Sequence, residues 1–94
     1  MTSKKIIITG GATRIGAAIA KSLADYETTI TIHYNKSKGN ALKLKKELEN
    51  LGSEVYLLKA DLNNLKQTQA LLKLAYKEMK GLNCLINNAS LFEN

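Results

Sequence analysis

The chain contains no proline, no tryptophan, one cysteine and one histidine in 94 residues, and its aromatic side chains are four tyrosines and one phenylalanine. Each shortage excludes something. The lone Cys84 cannot close an internal disulfide, and its place in an apolar run fits a reducing compartment and a buried structural thiol. Tyr26, Tyr34, Tyr56, Tyr76 and Phe92 are too few to interleave with basic residues as stacking platforms, so nucleic acid is not an expected partner. No run of about 18 apolar residues occurs, and Met1-Thr2-Ser3-Lys4-Lys5 leads directly into a short apolar stretch, not a signal-type segment. A soluble, cytoplasmic chain without a membrane partner is expected, and no metal site is assigned. Complete enzymes with long substrate loops usually contain several prolines; this chain has none.

What is present suffices for one hydrophobic core and one domain, since 45% of the residues are hydrophobic. Fourteen Lys and Arg against eight Asp and Glu leave a net charge of +6, which attracts anions without choosing among cofactor, lipid and nucleic acid. Lys36, Lys38, Lys43, Lys45 and Lys46 lie in or just before one predicted helix, where they fit a solvated outer face.

Apolar patterning alternates between two periods. Lys4 to Thr9 is a β-branched run without polar alternation, as in a parallel strand buried on both faces. Arg14 to Asp25 carries Ile15, Ala18, Ile19 and Leu23 at helical spacing. Thr28 to Tyr34 reads as a second strand. Lys38 to Leu51 reads as a second helix with Ala41, Leu44, Leu48 and Leu51 on its apolar face and Gly52 after it. Glu54 to Lys59 is a third strand, and Asn64 to Lys80 a third helix with Leu65, Leu71, Leu72, Ala75 and Met79 inward. Leu82 to Asn87 is a fourth strand. The order βαβαβαβ with short connections predicts an α/β fold, a Rossmann-like doubly wound parallel sheet with its first four strands in the order 3-2-1-4.

Three segments at the carboxyl ends of these strands carry candidate chemistry. Thr9-Gly10-Gly11-Ala12-Thr13-Arg14-Ile15-Gly16 joins the first strand to the first helix; small residues there let backbone N–H groups and the helix dipole approach a diphosphate, and Gly16 permits close helix packing. An ordinary glycine-rich turn has the same composition, although the strand before and helix after favour the phosphate reading. It is not a P-loop, because no Gly-Lys-Ser/Thr follows. His33-Tyr34-Asn35-Lys36-Ser37 ends the second strand without the carboxylate that would select NAD. Lys36 and Ser37 offer a charge and a hydroxyl to the 2′-phosphate of NADP(H). The same residues fit a polar turn with a helix cap, and His33 fits a packed side chain better than a catalytic base. Asp61-Leu62 follows the third strand, with Asp61 serving either as a helix cap or as an acceptor for an adenine amino group. Asn87-Asn88-Ala89-Ser90 follows the fourth, where a plain turn is the alternative.

Thr9-Gly10 through Gly16, Asp61-Leu62 and Asn87-Asn88-Ala89 together resemble the short-chain dehydrogenase/reductases, over the whole chain but only the front part of a family member. The resemblance implies that the glycine turn, including Thr9, Thr13, Arg14 and Ile15, binds the cofactor diphosphate. Asp61 and Leu62 would bracket adenine, and Asn88, Ala89 and Ser90 would line the cofactor groove. Arg14 stands where the family usually has glycine. With His33 to Ser37 and the segment Asn88-Ala89-Ser90-Leu91-Phe92, it gives a narrower resemblance to pteridine and dihydromonapterin reductases. That similarity implies an NADP(H) cofactor, with the 2′-phosphate on Asn35, Lys36 and Ser37. It also implies a small-molecule substrate, a pterin, met by Arg14, Ser90 and a stacking Phe92. Phe92 equally suits a hydrophobic residue destined for a core.

The family transfers hydride from nicotinamide with a Tyr proton donor and a Lys four residues later, on a helix after a fifth strand. Tyr34–Lys38 and Tyr76–Lys80 match that spacing but lie in the wrong elements, so no catalytic residue is assigned. Ending seven residues after the fourth strand would leave an apolar edge and a sheet face under one helix. The expectation is the N-terminal portion of one domain, truncated or split, inactive alone and homo-oligomeric when full length. A ketoreductase of the acyl-carrier type, or a noncatalytic interaction module, are the alternatives.

Overall fold

The computed structural model describes residues 4–88, and within them strands and helices alternate in the predicted order. The elements are β1 (Lys4–Thr9), α1 (Arg14–Leu23), β2 (Thr28–Tyr34), α2 (Lys38–Asn50), β3 (Glu54–Lys59), α3 (Leu65–Met79) and β4 (Cys84–Asn87). The sheet order is β3-β2-β1-β4, and every neighbouring pair is parallel. Register places Ile6 beside Ile30, Ile8 beside Ile32, and Thr9 beside Asn87. The carboxyl ends of all the strands therefore meet at one edge.

Because successive strand residues point to opposite faces, β1 and β2 supply two cores. Ile6, Ile8, Ile30, Ile32 and Val55 pack under Ala20 of α1 and Leu44 and Leu48 of α2. Ile7 packs on the other face under Ala75 and Met79 of α3, with Tyr56 and Leu58 beside it. Lys21 and Glu47 pair at 3.0 Å between α1 and α2.

Several apolar positions sit differently from their expected places. On α1 the buried residues are Gly16 and Ala20, whereas Ile15 is 67% exposed and Leu23 lies near the surface. Only small side chains fit where the helix approaches the sheet most closely; Ile19 packs against the core from beside that line, while Ile15 and Leu23 lie outside it. On α3 the buried stripe is Leu71, Ala75 and Met79, one residue every four, which leaves Leu65 and Leu72 outside it. Leu51 is the exposed C-cap of α2. Cys84 is exposed and not a buried thiol, because β4 is an edge strand with β1 on one side only. Among the described residues no helix is long and apolar enough to cross a membrane.

Candidate nucleotide site

The chain leaves β1 through a turn that only glycine enters without strain. Gly10 has φ 64°, in the left-handed region. Its N–H donates to Nδ1 of His33 at 2.9 Å, and the Gly11 N–H donates to the His33 carbonyl at 3.1 Å. A Cβ on Gly11 would lie 2.9 Å from the Ile32 side chain, so the second glycine lets the turn rest on β2. The glycine pair at positions 10 and 11 thus has two separate uses, a left-handed backbone at the first and close contact with β2 at the second.

Thr13 is the hub of the turn. It is the N-cap of α1, and its hydroxyl donates to the Gly10 carbonyl at 2.7 Å while accepting from the Gly16 N–H at 3.1 Å and the Asn88 side-chain amide at 3.0 Å. One donated and two accepted bonds saturate a hydroxyl. Thr13 thus shapes the loop and has no capacity left for a phosphate. Asn88 also donates to the Gly10 carbonyl at 3.0 Å and, through its backbone N–H, to the Thr9 hydroxyl at 3.1 Å. The Thr9 hydroxyl reaches the Asn87 side chain at 3.0 Å, so the end of β4 is tied to the loop at several points.

This bracing leaves the head of α1 open. The Ala17 N–H is the first to bond back along the helix, to Thr13 at 2.8 Å, and Gly16 is capped. The N–H groups of Arg14 and Ile15 have no partner among the described residues, as expected of a helix N-terminus. Both residues are exposed. A Cβ on Gly16 would lie 2.4 Å from the Gly10 carbonyl oxygen and 2.9 Å from the Asn88 amide. The bare Cα lets the first turn of α1 close directly onto the loop and Asn88.

The end of β2 supplies the second part. His33 is 3% exposed with both ring nitrogens engaged, Nε2 lying 2.8 Å from the Ala60 carbonyl. It supports the loop from beneath and presents no ring nitrogen to a ligand. Burial lowers its pKa from the usual 6.5, opposed by the Ala60 hydrogen bond. Tyr34 is half-buried, while Asn35, Lys36 and Ser37 are exposed. Ser37 occupies the N-cap position of α2 without making a side-chain cap bond, so its hydroxyl is open.

After β3, the Asp61 side chain accepts from the Asn63 N–H at 2.9 Å, while its own N–H donates to the Gln67 side chain at 2.8 Å. The cap of α3 is Asn64, whose side chain accepts from the Gln67 N–H, and not Asp61. Leu62 is half-buried beside it. Asp61 keeps one carboxylate oxygen without a recorded partner on the same sheet edge. Thr9, Gly10, Thr13, Arg14, Ile15, Gly16, the His33 to Ser37 segment, Asp61, Leu62 and Asn88 all lie along that edge. Ala89, Ser90 and Phe92 lie outside the described residues. Lys80, by contrast, caps α3 beside Lys5 at the opposite edge, which takes the Tyr76–Lys80 pair away from the loop.

A family model described as short chain dehydrogenase matches residues 4–94. The chain belongs to the short-chain dehydrogenase family. An uncharacterized oxidoreductase of Methylorubrum extorquens is 29% identical over 93 residues, covering 99% of this chain and 38% of the relative. A short-chain dehydrogenase from Burkholderia cenocepacia in complex with NADP superposes with a TM-score of 0.90 at 33% identity, over 98% of this chain and 38% of that one. An NADH-dependent reductase complexed with NAD gives 0.85 at 28% identity, over 95% and 37%. The chain thus spans little more than a third of the length of these relatives. They are oxidoreductases in general, and none of the three descriptions names a pterin.

Proposed function

We propose that this short-chain dehydrogenase chain is the NADP(H)-binding portion of a longer reductase that transfers hydride to a small-molecule substrate. The observation that carries the reading is the edge itself: a glycine turn packed tightly at Gly16, and Arg14 and Ile15 N–H groups without a partner among the described residues, on the same edge as a β2 terminus that has Lys36 and Ser37 but no carboxylate. The diphosphate would lie against the head of α1 and the 2′-phosphate against Lys36 and Ser37. Asp61, through its open carboxylate oxygen, would accept from the adenine amino group. When bound, the cofactor supplies the hydride; these residues hold and orient it. The family's Tyr and Lys would come from a continuation of the reading frame.

Calorimetry with NADPH and NADH tests the cofactor. A charge-assisted contact is worth about 1.5–3 kcal/mol, or roughly tenfold to a hundredfold in affinity. NADPH is expected to bind more tightly by that factor, and Lys36→Ala to remove most of the difference while leaving NADH unchanged. Equal affinities in the unaltered chain refute the preference. A pterin is the substrate we propose within the family. Among the described residues Arg14 alone supports it, its exposed side chain standing at the mouth of the cofactor cradle. Turnover of dihydrobiopterin by the full-length protein tests that step, and reduction of acyl-carrier ketones instead favours the ketoreductase reading.

A further inference from the structure

His33 is the chain's sole histidine, and its ring ties together three strand ends at the cofactor edge. Since the Gly10 N–H donates to Nδ1, that nitrogen must carry a lone pair, and the neutral ring's hydrogen sits on Nε2, which donates to Ala60. Ala60 in turn donates its N–H to the Tyr34 carbonyl at 3.1 Å. We propose that neutral His33 is a positioning residue, a latch that holds the Gly10 turn in its diphosphate-accepting shape, and that protonating the ring opens the latch and weakens dinucleotide binding. The proposal rests on the dinucleotide reading of the loop.

The argument is one of donors and acceptors. An imidazolium carries a hydrogen on each nitrogen, so Nδ1–H would face the Gly10 N–H at 2.9 Å, donor against donor. Ala60 would still accept, and only the bond to the loop would be lost. Water cannot slip in to repair it, because the ring is 3% exposed. Gly10 would then move, and its carbonyl is where Thr13 and Asn88 converge to shape the head of α1.

The charged and titratable groups on the surrounding elements are Lys4 and Lys5 on β1, Arg14 and Lys21 on α1, Tyr34 on β2 and Lys36 beyond it, Glu54, Tyr56 and Lys59 on β3, Asp61 after it, and Lys66, Lys73, Tyr76, Lys77 and Glu78 on α3. None contributes to the lowered pKa of the ring, which comes from burial, offset by the Ala60 bond. With the folded value below 6.5, the unfolded chain holds more protons in that interval. The histidine's contribution to stability is therefore complete above the unfolded value and is lost as pH falls through the folded one.

ADP-ribose is the appropriate probe, because the 2′-phosphate of NADPH is a phosphomonoester of the kind that itself titrates near pH 6. Its affinity for the chain is expected to fall about threefold or more between about pH 8 and about pH 5. His33→Asn places an amide oxygen near the Nδ1 position and cannot titrate. It is expected to bind within about threefold of the parent at about pH 8 and to show no such fall. In the ligand-free parent, the Gly10 amide resonance should shift with the same midpoint as the single imidazole, and the ADP-ribose affinity should follow that midpoint, which a purely structural histidine would not cause. A ring that stays neutral to about pH 5, a ring that titrates while Gly10 stays still, or a pH dependence that survives in His33→Asn overturns the latch. Failure of ADP-ribose to bind at any pH refutes the nucleotide reading instead, and the Gly10 resonance still decides the latch.

Discussion

Replacing Gly16 by alanine should break the loop at the point where its parts converge. The added Cβ would stand 2.4 Å from the Gly10 carbonyl oxygen, 2.7 Å from the Gly11 Cα and 2.9 Å from the Asn88 amide nitrogen, where ordinary contact begins at 3.4 Å. The two nearest atoms are backbone, so no flexible side chain can swing away. The Gly10 carbonyl would have to withdraw by about 1 Å, and it accepts from the Thr13 N–H, the Thr13 hydroxyl and Asn88. Overpacking of this kind costs about 1–3 kcal/mol, and weakening even one of those bonds adds about 1 kcal/mol. The helix propensity gained on replacing glycine returns at most about 1 kcal/mol. The net expectation is a loss of about 1–4 kcal/mol, with nucleotide binding reduced in the fraction that stays folded. Gly39→Ala is the matched control. It lies in the first turn of α2 with nothing within 4 Å of its added Cβ, and should gain about 0.5–1 kcal/mol. Urea unfolding followed by circular dichroism measures both with comparable slopes. A Gly16→Ala chain as stable as its parent, or two substitutions equal in sign, would refute the close-packing argument.

Two other substitutions should stabilise the chain. The Thr31 hydroxyl is fully buried without a hydrogen-bond partner, so Thr31→Val, which keeps the shape, should add about 1 kcal/mol in the same urea assay; a loss would mean the hydroxyl has a partner after all. Lys80 holds a left-handed conformation with φ 60° at the end of α3, and Lys80→Gly should add about 0.5–1 kcal/mol to thermal stability, with an unchanged melting temperature counting against strain there.

The strand order was legible because patterning leaves few choices. Runs such as Ile6-Ile7-Ile8 carry no polar alternation, which marks β1 as a buried strand, and the usual order of a doubly wound sheet then puts β2 and β4 on its two sides. Which face of each helix turns inward was less legible. Helical spacing recognises any apolar residue as a candidate, but α1 selects Gly16 and Ala20 for their smallness, a property that a hydrophobicity pattern does not weigh. Cys84 misled for a related reason: apolar neighbours signal a buried strand only when both sides of the strand are paired. Residue types located the glycine turn between β1 and α1, yet they did not separate side chains left open from side chains that brace the backbone. Thr13 and His33 look like polar groups at a phosphate site. Only their bonding partners reveal that both are saturated by the loop they support.

That distinction extends to the two edges of the sheet. At the edge where strands begin, polar groups close on one another. The Asp25 N–H donates to the hydroxyls of Thr28 and Ser53, which can donate back to the Asp25 carbonyl. Lys5 and Asn83 exchange bonds, and the Lys5 ammonium reaches the Lys80 carbonyl. At the edge where strands end, side chains are spent on shaping backbone, while the Arg14 and Ile15 N–H groups have no partner among the described residues and the Ser37 hydroxyl makes no cap bond. Donors left to solvent on that edge are what the proposed dinucleotide reading needs, because a phosphate can replace the solvent that satisfies them in the free protein. The asymmetry also constrains how the site can be altered. Changes to Thr13 or Asn88, or a change at His33 that removes the acceptor for the Gly10 N–H, should act on affinity only by moving backbone, and so should lower stability and binding together. A change at Lys36, whose exposed side chain makes no recorded bond, should lower binding alone.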